Sequence, residues 1–265
     1  MLLEANAPAD VRPIELVTFD LYDTLIERHP PRWERFHAAL AKLGVRVDLE
    51  AIRLADVIAE DFFTLENGKV PIRDRPRAQR EEFRLAFTAR WLEAAGIEPE
   101  PDLVRAARQG YLAEYETPAI EVGIGYGYRA YLDVLPALVA LREAGVRRAV
   151  ISNADDDVTE LCQHMEFAHE MDLIVTSALV GYEKPDVRTF RAALDPLGVE
   201  PAAALHIGDQ LNSDVTGALA AGMRAALIDR YARHDQANHD VPVMRDLHEL
   251  VAHVCAVNEG VVQPS

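Results

Sequence analysis

Glu15-Leu16-Val17-Thr18-Phe19-Asp20-Leu21-Tyr22-Asp23-Thr24-Leu25 is an apolar, partly β-branched run that stops on a carboxylate and then turns. A short run of this kind, bounded by polar residues, reads as a buried strand and puts Asp20 at its C-terminal end. In an open parallel α/β sheet, ligands bind at that end of the strands.

The same grammar returns in Ala149-Val150-Ile151-Ser152-Asn153 and in Ala204-Leu205-His206-Ile207-Gly208-Asp209, where apolar runs again end on residues that can touch an anion or a metal. Between them, Gly181-Tyr182-Glu183-Lys184-Pro185-Asp186 sets a lysine beside a proline-fixed turn. From Tyr131 onward helical and strand patterns alternate. A helix over Leu132, Leu135, Leu138 and Leu141 leads to a strand at Val146–Ser152, and one over Val158, Leu161 and Met165 leads to Asp172–Thr176. Phe190, Ala193, Leu194 and Leu197 lead to Ala204–Gly208; Val215, Ala218 and Leu219 lead to Ala225–Asp229. A last helix is expected over Met244–Val257. This alternation predicts an α/β fold around a doubly wound parallel sheet.

About a hundred residues after Asp20 break the pattern. Four helices are expected there: Trp33 to Leu43 ending at Gly44, a second capped by Asp48, a third from Arg77 to Gly96, and a fourth from Pro101 to Tyr115. No strand is evident among them.

The chain has 265 residues, 49% hydrophobic and 27% charged, which fits a folded domain with a sizeable insert. A formal net charge of −17 speaks against nucleic acid or an anionic membrane as partner. Cys162 and Cys255 form neither a metal-ligand spacing nor a disulfide framework and read as buried thiols of a reducing compartment. Met1 to Pro13 lacks the apolar core of a signal peptide, and no run approaches the roughly 18 apolar residues of a membrane span. A cytoplasmic protein acting on a small molecule is expected.

In order and spacing, the four stations at Asp20, Ser152, Lys184 and Asp209 resemble the four motifs of the haloacid dehalogenase-like hydrolase superfamily. The resemblance covers nearly the whole chain. It implies a Rossmannoid core over residues 14–27 and 128–257, an inserted α-helical cap domain over 28–127, and flexible termini at 1–13 and 258–265. The cap hinges would lie at Glu27–Arg32 and at Gly123, Gly125 and Gly127.

The resemblance further implies a Mg²⁺-dependent phosphatase in which Asp20 attacks phosphorus. Asp20, Asp209, Asp214 and the Tyr22 backbone carbonyl would hold the metal. Ser152, the Asn153 backbone and Thr24 would contact the substrate, and Lys184 would neutralise Asp20 and the phosphoryl group. Read without the resemblance, Ser152 and Asn153 suit a turn or helix cap, and Asp214 a helix N-terminus. Arg73 and Arg75, with Lys69, Arg77 and Arg80, form a basic cluster that either contacts a substrate anion or is a solvated face.

Tyr22 departs from the pattern. Most phosphatases of the superfamily have a second aspartate there, which protonates the leaving group, and a tyrosine with a reference pKa of about 10 serves poorly. Asp23 follows directly, but in a tight turn is expected to point elsewhere. An aromatic residue at this position resembles the 2-haloacid dehalogenases, which attack carbon without a metal; Arg53 would then bind the substrate carboxylate. A catalytically weakened binding protein is a third reading. The acidic pair Asp209 and Asp214 favours metal-dependent phosphoryl chemistry, since clustered carboxylates repel one another unless a cation or proton is present.

Overall fold

The computed structural model describes residues 12–70, 72–116, 127–232 and 240–260, without the side chains of Arg73, Tyr115 and Glu116. β1, Leu16–Phe19, is buried along its whole length. Its residues serve both faces, as a strand covered on both sides requires: Val17 and Phe19 join one apolar cluster, Leu16 the other. β4 (Arg147–Ser152) and β6 (Ala204–Gly208) pair with it in parallel on either side. β5 (Leu173–Thr176), β7 (Arg224–Ile228) and β8 (Val243–Met244) complete a six-stranded sheet in the order β5-β4-β1-β6-β7-β8. The chain therefore reverses its winding direction at β1, and the crevice beyond that strand is the expected ligand position.

One face of the sheet packs on α5 (Val134–Glu143), α6 (Thr159–His164) and α10 (Leu247–Asn258), the other on the one-turn α7 (Ser177–Val180), α8 (Val187–Leu197) and α9 (Gly217–Ala220). The four expected helices of the insert are present as α1 (Arg32–Lys42), α2 (Leu49–Lys69), α3 (Arg77–Ala94) and α4 (Pro101–Glu116). They enclose a separate apolar cluster in which Phe36 stacks on Trp91 at 4.3 Å, and the Trp91 indole donates to the Ile52 carbonyl. Asp48 accepts from the Glu50 N–H and caps α2 as its type predicts.

Both crossings between sheet and helices run through a ribbon absent from the pattern reading. β2 (Ile26–Arg28) pairs antiparallel with β3 (Tyr128–Ala130), and His29 N–H bonds the Gly127 carbonyl. Three-residue strands are too short to show periodicity. Gly127 has φ +71°; Gly123 and Gly125 lie outside the described residues. Tyr231, after β7, anchors the ribbon: its hydroxyl donates to Glu27 and meets the Tyr131 hydroxyl at 2.7 Å, while its ring meets Trp33 of α1 edge-on.

Several expectations shift. Leu132 is 98% exposed and Leu135 is also exposed, because α5 starts only at Val134 and turns Val134, Ala137, Leu138 and Leu141 inward. Met244 belongs to β8 rather than to the last helix. Leu219 is exposed, and Leu211–Thr216 forms a wide π-helical turn instead of the start of a regular helix. Asn258 is no frayed end: its side chain bonds both the N–H and the carbonyl of Ile14, clasping the end of α10 to the approach to β1. Among the described residues no helix is long and apolar enough to cross a membrane.

Cys162 is fully buried and burial pushes its thiol up to about 12, whereas Cys255 is only half-buried. In the native protein, an aromatic disulfide reagent is expected to titrate Cys255 quickly and Cys162 only on unfolding. Rapid modification of both thiols in the parent, or of the one remaining thiol in a Cys255→Ser control, would contradict this packing.

Candidate functional site

The side chains singled out at the strand ends converge at the crevice. Asp20 follows β1, Ser152 ends β4, and Asp209 follows β6. Asp214 arrives from the π-helical turn, where the widened winding carries it back over Gly208. Carboxylate oxygens of Asp20, Asp209 and Asp214 all lie within 4.8 Å of one another, and all three residues are buried. Lys184 is buried with them, and its Nζ donates to Asp20 and to Asp214, at 2.6 Å each.

The ammonium thus pairs with two of the three clustered carboxylates. Burial raises Asp20 to about 7, against the opposing pull of Lys184 and with repulsion from Asp214 adding to the rise. Burial also acts against the charge on Asp214, but Lys184 and His206 outweigh it and hold this carboxyl below the usual range. Lys184 is pushed up to about 12, because its two carboxylate partners outweigh the burial of its own charge.

His206 completes the array and was not singled out by its sequence pattern. It is fully buried within β6; its Nδ1 lies 2.8 Å from the Thr18 hydroxyl and its Nε2 3.3 Å from Asp214. Burial lowers its pKa, so the ring is neutral. An ionised Asp214 accepts a hydrogen bond from Nε2–H, which leaves Nδ1 to accept from Thr18. The Gln210 N–H fixes the other Asp214 oxygen at 3.0 Å. The one sequence signal was a polar residue in the middle of an apolar strand.

Glycines make the approach possible. A Cβ on Gly208 would overlap the Asp214 carboxylate, and one on Gly217 would overlap Phe190 and the Pro185 backbone. The Asn153 side chain holds the loop: its Nδ2 donates to the Lys184 carbonyl and its Oδ1 accepts the Lys184 N–H. Ser152 Oγ is fully buried with no hydrogen-bond partner. Leaving such a group unpaired costs about 1–3 kcal/mol, so its placement beside Asn153 fits an incoming oxygen.

A cavity of about 390 Å³ opens above this array, between the sheet and α2. Tyr22, Asn153, Lys184 and Gln210 line it from the sheet side; Phe63, Thr64 and Asn67 line it from α2. Two hydrogen bonds cross its rim, from Thr64 Oγ1 to Gln210 at 2.8 Å and from Asn67 Nδ2 to Glu183 at 2.6 Å. The Tyr22 ring leans on Tyr128 at 5.4 Å.

Other expected site residues lie elsewhere. Arg75 donates to the Val70 and Glu66 carbonyls at the end of α2 and covers the Phe83 ring, so it closes a helix and does not line the cavity. The Arg73 side chain is outside the described residues; Lys69 pairs with Glu66, and Arg77 and Arg80 are exposed. Arg53 bonds Glu50 and the Tyr231 carbonyl, again away from the cavity. Thr24 is fully buried, its carbonyl accepts from Arg230, and it too is off the cavity wall. Asp23 was expected to point away, yet it adopts φ +57° and lines the cavity, as does Arg32.

Residues 14–222 match the family model for haloacid dehalogenase-like hydrolases. The mouse haloacid dehalogenase-like hydrolase domain-containing protein 3 is 27% identical over 241 residues, 86% of each chain. The glyceraldehyde 3-phosphate phosphatase of Methanopyrus kandleri is 35% identical over 156 residues, 57% of this chain and 63% of its own. A solved hydrolase of the family from Deinococcus radiodurans R1, with bound phosphate and sodium, has the same fold at a TM-score of 0.64. It is 22% identical, over 96% of this chain and 99% of that one.

The close approach at Gly208 has a measurable consequence. Gly208→Ala is expected to lower the unfolding free energy in urea by about 1–3 kcal/mol, the usual cost of overpacking. Wild-type stability in that variant would contradict the contact.

Proposed function

The chain belongs to the haloacid dehalogenase-like hydrolases, and on that footing we propose that it is a Mg²⁺-dependent phosphatase acting on a small phosphomonoester through an aspartyl-phosphate on Asp20. The observation that carries this reading is the buried triad Asp20, Asp209 and Asp214, with Lys184 bonded to the first and the last. Three buried hard oxygen donors within reach of one another suit a divalent cation, and a metal-free attack on carbon has no use for the two further carboxylates.

Asp20, Asp209 and Asp214 would hold Mg²⁺ together with the Tyr22 carbonyl. When bound, it supplies positive charge to the phosphoryl oxygens. The Lys184 ammonium adds a second positive charge, and Ser152 Oγ with the Asn153 N–H binds one phosphoryl oxygen. Asp20 attacks phosphorus as the bond to the leaving oxygen breaks. Water then attacks the same phosphorus, the bond to Asp20 breaks, and inorganic phosphate leaves with the water's oxygen.

The helices α1 to α4 act in this reading as a cap over the site, turning about the β2–β3 ribbon. The ribbon is the joint through which both connections pass, and the bonds of Thr64 and Asn67 across the rim hold the cap down. Tyr22 cannot readily donate a proton near neutral pH, since burial raises its phenol further above the ordinary value. Leaving groups that depart as stable anions are therefore preferred.

Phosphate release from para-nitrophenyl phosphate tests this directly. Turnover is expected with Mg²⁺, loss of turnover with chelator, and a decrease of at least about 100-fold in Asp20→Asn. Simple alkyl phosphates are expected to react more slowly. Chelator-resistant release, or an active Asp20→Asn variant, would contradict the proposal.

A further inference from the structure

The cavity wall beyond the phosphoryl end has a charge pattern that bears on the substrate's other half. Asp23, Glu60, Asp155 and Glu183 all line it. Opposing them among the described residues are Arg28 and Arg32, because the third lining cation, Lys184, is bonded to Asp20 and Asp214.

Arg32 is itself neutralised. It is buried at the start of α1, with Nε 2.8 Å from Asp56, Nη1 2.5 Å from Glu60 and Nη2 4.0 Å from Asp23. Asp56 is fully buried behind it. Two carboxylates bond this guanidinium and a third stands beside it, so its charge is already more than balanced. Arg28 lies with its guanidinium over the Tyr128 ring, at 4.9 Å. The cap arginines Arg53 and Arg75 are bonded away from the cavity.

Resting on the phosphatase reading above, we infer that this wall selects phosphomonoesters whose leaving group is uncharged or cationic and excludes leaving groups bearing a carboxylate or a second phosphate. The phosphoryl dianion is balanced at its own end by Lys184 and the metal site. Among the described residues a second anion has only Arg28 to turn to, whose guanidinium already covers the Tyr128 ring, and it meets the carboxylates of Asp23, Glu60, Asp155 and Glu183. Hydroxyls and ammonium groups find acceptors there, with the amides of Asn67 and Gln210 at the rim. Discrimination of this kind comes from the repulsive element as much as from the attractive one.

Competition against para-nitrophenyl phosphate at low ionic strength tests the inference with three compounds of similar size. O-Phosphoethanolamine and glycerol 3-phosphate are expected to inhibit at concentrations about tenfold lower than 3-phosphoglycerate, the effect of like charges across a partly wet cavity. The Asp155→Asn, Glu183→Gln double variant is expected to narrow that gap severalfold. Equal or tighter competition by 3-phosphoglycerate in the wild type overturns the inference while leaving the phosphatase reading intact. Absence of metal-dependent release from para-nitrophenyl phosphate itself overturns both.

Discussion

The ammonium of Lys184, bonded at 2.6 Å to both Asp20 and Asp214, is the contact on which the site depends. Desolvating an ion pair costs about as much as the pair returns, so this contact is poor evidence for stability. Its worth is positional. It brings the carboxylate after β1 and the carboxylate of the π-helical turn to one ammonium, with Asp209 beside them. Much of the local sequence serves that approach. Gly208 clears room for Asp214, Gly217 lets the Lys184–Pro185 loop close in, and Asn153 bonds both sides of the Lys184 backbone.

The parallel sheet explains why residues so far apart in sequence meet. Its order reverses at β1, so the ends of β4 and β6 flank the end of β1, and whatever follows those strands shares one crevice. The helical insert then adds a second wall. It has its own apolar core, meets the sheet domain through the short ribbon and Tyr231, and reaches the crevice with α2. Both parts of the chain thus wall the cavity: Glu60, Phe63, Thr64 and Asn67 from the insert, Asp23, Asp155 and Glu183 from the sheet side.

The parts of this arrangement readable from sequence were those with local signatures. Strands ending on Asp20, Ser152 and Asp209, the helix caps, and the alternation after Tyr131 follow from periodicity and turn chemistry. What escaped depends on contacts across the chain. His206 looks like one more strand residue until Thr18 and Asp214 are placed beside it. Arg75 looks like a substrate ligand because its neighbours are basic, but its donors close the end of α2. Asp23, with a positive φ unusual for a residue with a side chain, borders the cavity beside Arg32, a placement no local pattern announces. Leu132 matches a helical spacing that the late start of α5 breaks.

The most direct measurement is the mass of the peptide carrying Asp20 after acid quench of a reaction with para-nitrophenyl phosphate and Mg²⁺. One phosphoryl group on Asp20 is expected, formed within the first turnover and absent from Asp20→Asn. Steady phosphate release with Asp20 never carrying a phosphoryl group would contradict the assignment of the nucleophile.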